Sequence, residues 1–293
     1  INLWSTQGNT SINDAGRTEN INWVSRSFEN TPLLEWPSHV AMAMQIPDDS
    51  IIHLKPHTNK LIAVAIYTNF DRSDWKDAVI NDAKSSSNTI KEVRSEHKQW
   101  WNDFWSQSNI SIGDDFLEKY YSSSLYMLAS STRKGKFAPG ICGSFIMQDY
   151  AAWGGDYHLN YNYQAPYWAL FSSNQIDLTD NFDQPVLDYM EKGKEHARSL
   201  LNCRGIYYPV GLGPKGLCTT RWPLTPEEMF ERYASRENTI DDGYKFLGQK
   251  INAVFSIGNM MMGCYSTYDV MYARNVYPYI LELTKFWEDN LFL

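Results

Sequence analysis

The chain has 293 residues, 43% apolar and 20% charged, and a net charge of -8. That is a globular composition with room for one large or two ordinary domains, which excludes a disordered chain. The negative balance argues against nucleic acid or an anionic membrane surface as a partner, and no run of about 18 apolar residues offers a membrane span.

Residues 1–36 are polar, irregular and rich in Asn, Ser and Thr. The segments 39–46, 50–54 and 61–68 read as strands, with turn chemistry at Pro47-Asp48-Asp49 and Pro56-His57-Thr58-Asn59 between them. Three such strands bury too little to stand alone, so they are expected to end a larger antiparallel sheet. Character changes at Asp71. Ser73 is a plausible cap for a short helix that the run Ser85-Ser86-Ser87-Asn88 should break. A second helix over 89–106 places Trp101, Phe104 and Trp105 at i, i+3 and i+4, an apolar stripe for packing, a plug between sheet and helices. Residues 110–112 could form a short strand. Asp114 or Asp115 caps a helix to Thr132, and a loop spans 135–143.

Further on, 180–201 reads as one helix with Phe182, Val186, Tyr189, Met190 and Gly193 on one face. Residues 203–218 form a long Gly/Pro-rich loop of the kind that often carries function. Residues 223–233 make a modest helix or turn. Two apolar helices follow, over 251–272 and 276–291, the second with Pro278 in its first turn. Met260-Met261-Met262 reads as core. Cys142, Cys203, Cys218 and Cys264 show no C-x-x-C and no zinc spacing. No metal and no cofactor are expected. Cys203 and Cys218 bracket the loop and could pair, but four free thiols is the simpler reading. An antiparallel sheet followed by helix pairs with long loops means a mainly α chain with a β portion, a β-sandwich plus a helical barrel or solenoid.

The most informative stretch is 153–168. It holds Trp153 and Trp168, four tyrosines, Asp156, His158, Asn160, Asn162 and Gln164. A core would have to partner every amide and carboxylate, whereas aromatic walls with a few fixed polar groups suit a polar, ring-shaped ligand. Asn160, Asn162 and Gln164 share one face if extended and fan around the first turn if helical. Either way Asn160 and Asn162 can converge on a water or a sugar hydroxyl. Asp156 can bind sugar hydroxyls, or cap the next segment, or hold His158. Trp153, Tyr157, Tyr161 and Trp168 are candidate stacking walls, shared with packing. The aromatic excess, 11 Trp and 19 Tyr, fits a carbohydrate cleft as well as a core.

Two motifs carry a family resemblance. His97-x-x-Trp100-Trp101-x-x-Phe104-Trp105-x-x-Ser108-x-Ile110 resembles the entry into the helical domain of glycoside hydrolase family 95. Gly155-Asp156-Tyr157-His158-Leu159-Asn160-x-Asn162-x-Gln164-x-x-Tyr167-Trp168 resembles its active-site signature. The resemblance implies that residues 1–70 end an antiparallel β-sandwich, 71–112 form a helical linker, and 113–293 begin an (α/α)6 barrel. It implies an inverting glycoside hydrolase of α-L-fucosidase type, acting on an oligosaccharide or glycan. Asn160 and Asn162 are then the catalytic pair that positions the attacking water. Trp153, Asp156, Tyr157, His158, Gln164 and Trp168 are then substrate-binding. Two features depart from the family. Its Leu-Gln-Gly-hydrophobic-Trp segment reads Ile141-Cys142-Gly143-Ser144-Phe145 here. Its Ser-Pro-Glu-Asn acid motif has no match, since Thr225-Pro226-Glu227-Glu228 follows Asn162 too soon. The general acid Glu and a supporting Asp are expected beyond Leu293, in a longer gene product. Two alternatives stay open: a glycoside phosphorylase on the same scaffold, with Thr219-Thr220-Arg221 as a hint of an anion pocket, and a non-catalytic glycan-binding relative. Enzymes of this resemblance act outside the bacterial cytoplasm, so an extracellular or periplasmic location is expected.

Overall fold

The structure, a computed structural model, describes residues 11–28, 36–45, 53–146, 155–219 and 249–291. The chain divides into two compact units, Ile1–Asp103 and Phe104–Leu293. The first holds a small antiparallel sheet and the second is built mainly from helices, with no parallel strand pairing among the described residues.

In the first unit four strands, β1 (Ile12–Thr18), β2 (Ile21–Phe28), β3 (Ser38–Gln45) and β4 (Val64–Thr68), pair in sequence order. The first two were not expected in a stretch read as irregular. β1 is exposed along almost its whole length, so its sequence carries no buried face to read. The hairpin closes tightly, with Thr18 opposite Ile21 and Glu19 at φ +54 in the turn. One face of the sheet buries Ile21, Ala41 and Ala43 against Val79 and Ala83, with Trp23, Tyr67 and Trp75 packed around them. Of the segment 50–54, residues 50–52 lie outside the described residues, and His53 and Leu54 are not in a strand.

Helix α1 (Trp75–Gln107) runs unbroken through the serine run that was expected to end it. Ser86 Oγ donates to the Ala83 carbonyl at 2.8 Å, and Ser85 and Thr89 bond back to Asp82 and Ser85 in the same way. These hydroxyls are satisfied along the helix, so they do not compete for another backbone conformation. In the aromatic run Phe104 is buried, while Trp101 and Trp105 are half-buried.

In the second unit α2 (Asp115–Ser131) starts where its cap predicts. Asp114 accepts from the amides of Phe116 and Leu117 at 3.0 and 3.1 Å. Residues 110–112 form no strand; the Ile112 amide donates instead to Glu118 at 2.6 Å. Helix α3 (Ala165–Ser172) follows the aromatic stretch. The single helix expected over 180–201 is two, α4 (Asp183–Asp188) and α5 (Met190–Leu201). Their junction is where Gly216 packs against the backbone of Asp188 and Tyr189. The final pair is α6 (Asn252–Thr267) and α7 (Val270–Asn290). Asp269 caps α7, accepting from Met271 at 2.7 Å, so Pro278 sits inside the helix and not in its first turn. A proline there removes one i→i−4 bond. Residues 223–233 lie outside the described residues. None of the four cysteines is in a disulfide.

The core of this unit is unusually phenolic. Tyr157, Tyr163, Tyr167, Tyr208 and Tyr279 are all buried. Each hydroxyl finds an acceptor: Ala138 carbonyl, Phe182 carbonyl, Asn181 Oδ1, Val186 carbonyl and Ala253 carbonyl, at 2.5–2.9 Å. Much of the aromatic excess is therefore packing with satisfied tips.

Candidate functional site

The signature opens on a two-residue ribbon. β5 (Tyr157–His158) pairs antiparallel with β6 (Gly211–Leu212), Tyr157 opposite Leu212 and His158 opposite Gly211. Alternate residues of extended chain share a face, so Asp156 and His158 lie together while Tyr157 points the other way. Asp156 Oδ1 meets His158 Nδ1 in a short contact. Beyond β6 the chain turns back: Leu212 bridges to Cys218, and the Thr219 amide donates to the Gly211 carbonyl at 3.3 Å. That return brings Thr219 Oγ1 to Asp156 Oδ2 at 2.5 Å. The side chains of Asp156 and His158 are 3% and 6% exposed. Gly140 packs on the other side, so close to the Gly155 carbonyl that a Cβ would overlap it, and the Ile141 amide donates to the Asp156 carbonyl at 3.0 Å.

After His158 the chain makes a tight turn into α3. The Tyr163 amide donates to the His158 carbonyl at 3.0 Å, and the Ala165 amide to the Tyr161 carbonyl at 3.0 Å. Tyr161 takes φ +141, a conformation L-residues rarely adopt, and exposes half of its surface. Asn160 and Asn162 flank it. Asn160 is half-buried, and its carbonyl oxygen is buried with no hydrogen-bond donor among the described residues. Asn162 lines a cavity of about 160 Å³ with Met127, Ser131, Ile141, Cys142 and Phe145 among its walls. Asn160 is not in that lining, so the structure does not bring both amides into this one cavity. The segment that departs from the family pattern, Ile141 to Phe145, supplies one wall of it.

Three substrate-binding expectations take a different form. Gln164 is fully buried; its Nε2 donates to the Leu159 carbonyl at 2.8 Å and toward Ser256 at 3.4 Å, a tie between α3 and α6. Tyr157 is 1% exposed and stacks on Tyr163, so its ring faces the core. Asp156 has both oxygens engaged within the protein and offers no free edge to a sugar. Trp168 is 36% exposed, meets Tyr161 edge-to-face at 5.6 Å, and donates its indole N–H to Asn259 at 2.8 Å. Trp153 lies outside the described residues, as do Thr220, Arg221 and residues 225–228. Among the described residues no group of three or more His, Cys, Asp or Glu side chains could hold a metal ion. No helix there is long and apolar enough to cross a membrane.

Sequence reasoning did not single out Asp183. Its carboxyl is buried; one oxygen accepts from the Tyr272 hydroxyl at 2.7 Å and the other has no partner among the described residues. Burial pushes it up to about 6, the Tyr272 hydrogen bond pulls it down, and the nearby Asp180 adds to the rise. Nothing in the local sequence marks it, because Tyr272 is 89 residues away.

Residues 83–293 match the Glycosyl hydrolase family 95 catalytic domain. The chain belongs to glycoside hydrolase family 95, a family of glycosidases. It is 31% identical over 100 residues to "Probable alpha-fucosidase A" of Aspergillus oryzae, covering 33% of this chain and 14% of that protein. It is 33% identical over 79 residues to "Probable alpha-fucosidase A" of Aspergillus niger, covering 27% of this chain and 10% of that protein. Among solved structures the fold resembles that of "Putative kojibiose phosphorylase from human microbiome", with a TM-score of 0.60 at 13% identity, over 94% of this chain and 36% of that one. The chain thus spans well under half the length of each of these proteins.

Proposed function

We propose that this chain carries the water-positioning half of an inverting glycosidase that removes a terminal sugar, α-L-fucose or a relative, from an oligosaccharide or glycan. The observation that carries the reading is the buried Asn160 carbonyl oxygen, without a donor among the described residues, inside the family signature. A buried acceptor without a donor costs about 1–3 kcal/mol, which a bound water or hydroxyl would offset. An amide is no base at neutral pH, but its oxygen can accept from water and hold it in line. A carboxylate behind the water then takes the proton, the water oxygen bonds to the anomeric carbon, and the glycosidic bond breaks as a general acid protonates the leaving oxygen. Inversion needs room for that water, roughly 6.5–9.5 Å between the two carboxyl groups. Asn162, beside the cavity walled by Ile141, Cys142 and Phe145, is its partner. The Tyr161–Trp168 corner is the nearby sugar contact.

In this reading the sheet of the first unit closes a β-sandwich, residues 71–112 link it onward, and residues 113–293 begin an (α/α)6 barrel. The family match and the fold likeness support that architecture. The enzyme would act outside the cytoplasm; a full-length gene without any export signal would argue against that placement.

Phosphorolysis is the second reading, favoured by the name of the fold neighbour. Thr219, one residue of the expected anion pocket, is engaged with Asp156 instead. The deciding experiment follows the anomer released from a terminal α-fucoside by proton NMR, using the whole gene product with and without phosphate. Free β-fucose as first product, independent of phosphate, is the expected result. A sugar 1-phosphate formed only with phosphate establishes the phosphorylase, and sugar binding without turnover establishes a glycan-binding relative.

A further inference from the structure

We propose that Tyr161 is a positioning residue: its strained backbone sets the directions in which Asn160 and Asn162 present their amides, and its ring, seated against Trp168, holds that conformation. The role rests on the reading of the two amides as the pair that positions the water, and adds to it the residue that keeps the pair in place.

The chain is fixed on both sides of the pair. Before it, the Leu159 amide donates to the Val210 carbonyl at 2.8 Å, one step beyond the β5–β6 pairing. After it, the Tyr163 amide donates to the His158 carbonyl at 3.0 Å. The Tyr161 carbonyl accepts from the amides of Gln164 and Ala165 at 3.1 and 3.0 Å as α3 begins. Residues 160–162 are left to make the reversal, and the middle one takes φ +141. A glycine adopts such an angle readily, whereas a tyrosine does so only where its surroundings hold it there.

The strain has a consequence for the amides. In extended chain, residues two apart share a face, and both amides would point the same way. Here Asn162 lines the cavity beside Ile141 and Phe145 while Asn160 does not, and the Asn160 carbonyl oxygen is buried without a donor among the described residues. The turn at Tyr161 is what separates the two directions.

The ring supplies the hold. It meets Trp168 edge-to-face, with centroids 5.6 Å apart and planes at 77°. Trp168 is itself tied by its indole N–H to Asn259, which is 1% exposed and also donates to the Gln164 carbonyl. The Tyr161 ring thus leans on the buried amide that anchors the start of α3. Half of the tyrosine surface is already exposed, so removing the ring opens no core.

The test joins one structural readout to one kinetic one. At φ +141 the three-bond coupling between the amide proton and Hα is far smaller than in helix or strand, and NMR of chain labelled at residue 161 measures it. Wild type and Tyr161→Phe should both show the small coupling. Tyr161→Ala, without the ring, should relax to an ordinary value. In the whole gene product, on a terminal α-fucoside, Tyr161→Ala should lower kcat about 10–100-fold, the scale of a displacement of about 1 Å at the reacting groups, with a smaller change in KM. Tyr161→Phe, which keeps the ring, should stay near wild type. An ordinary coupling in wild type, a coupling unmoved by Tyr161→Ala, or a Tyr161→Phe enzyme as slow as Tyr161→Ala overturns the proposal. A rise in KM with kcat intact overturns it too, because the ring is then a sugar-stacking wall and no more. The two failures are distinguishable: a backbone that relaxes in Tyr161→Ala with kcat unmoved removes the positioning role, whereas normal turnover by Asn160→Ala removes the reading of the amides on which it rests.

Discussion

The indole N–H of Trp168 donates to Asn259 Oδ1 at 2.8 Å, and the same amide donates through Nδ2 to the Gln164 carbonyl at 3.1 Å. Asn259 is 1% exposed on α6, so one buried side chain holds both the first turn of α3 and the aromatic corner beyond it. Asn259→Leu keeps the branching of the side chain and removes both bonds. It should lower stability by about 1 kcal/mol, because the Trp168 indole N–H loses its acceptor and the Gln164 carbonyl keeps only the Tyr167 amide as donor. Urea unfolding of the chain reads this as a lower midpoint with an unchanged slope. An unchanged midpoint would show that the clasp is not holding α3.

Asp183 gives stability a pH dependence of defined sign. Its carboxyl lies at about 6 in the folded chain, against 3.8 for the ordinary group, because burial disfavours the charge. Below the ordinary value the group is protonated in both states and contributes nothing. Between 3.8 and about 6 the folded state holds the proton more tightly, so stability falls as pH rises. Above that window the loss is complete, about 3 kcal/mol. Asp183→Asn keeps the shape without the charge. Its stability should exceed that of wild type at pH 8, and the gap should close as pH falls toward 4. A gap independent of pH would mean that the carboxyl is not buried as charge. Tyr272→Phe removes the one hydroxyl that stabilises the ionised form, so it should widen the gap.

Cys142 shares a wall of the cavity that Asn162 enters, in the segment that departs from the family pattern. Cys142→Trp fills much of about 160 Å³. If the sugar or its leaving group uses that space, KM should rise about tenfold or more, the equivalent of about 1.4 kcal/mol of binding, with kcat less affected. Thermal unfolding run alongside shows whether the fold tolerates the larger ring. An unchanged KM in a folded variant places the substrate elsewhere.

Legibility followed exposure and sequence distance. Helix α2 could be read because Asp114 caps it and its apolar residues recur at helical spacing. The hairpin of β1 and β2 could not, because β1 is exposed on both faces and its polar residues look like loop. The serine run misled because isolated serines favour turns, while here each described hydroxyl bonds back along α1. In the site, Asp156 next to His158 was among the open alternatives, since two residues of extended chain share a face. Its clamp by Thr219 was not, because only the β5–β6 pairing brings residue 219 there. Gln164 read as a ligand because an amide in an aromatic stretch looks like recognition; its partners, Leu159 and Ser256, come from the turn and from α6.

The central claim is that Asn160 acts on the water in the transition state, and steady-state kinetics of Asn160→Ala in the whole gene product, on a terminal α-fucoside, tests it most directly. A group that acts only in the transition state changes kcat and leaves ground-state binding alone. The account predicts kcat lower by about 100-fold or more with KM nearly unchanged. Normal turnover by a folded Asn160→Ala enzyme, or a loss confined to KM, would contradict it.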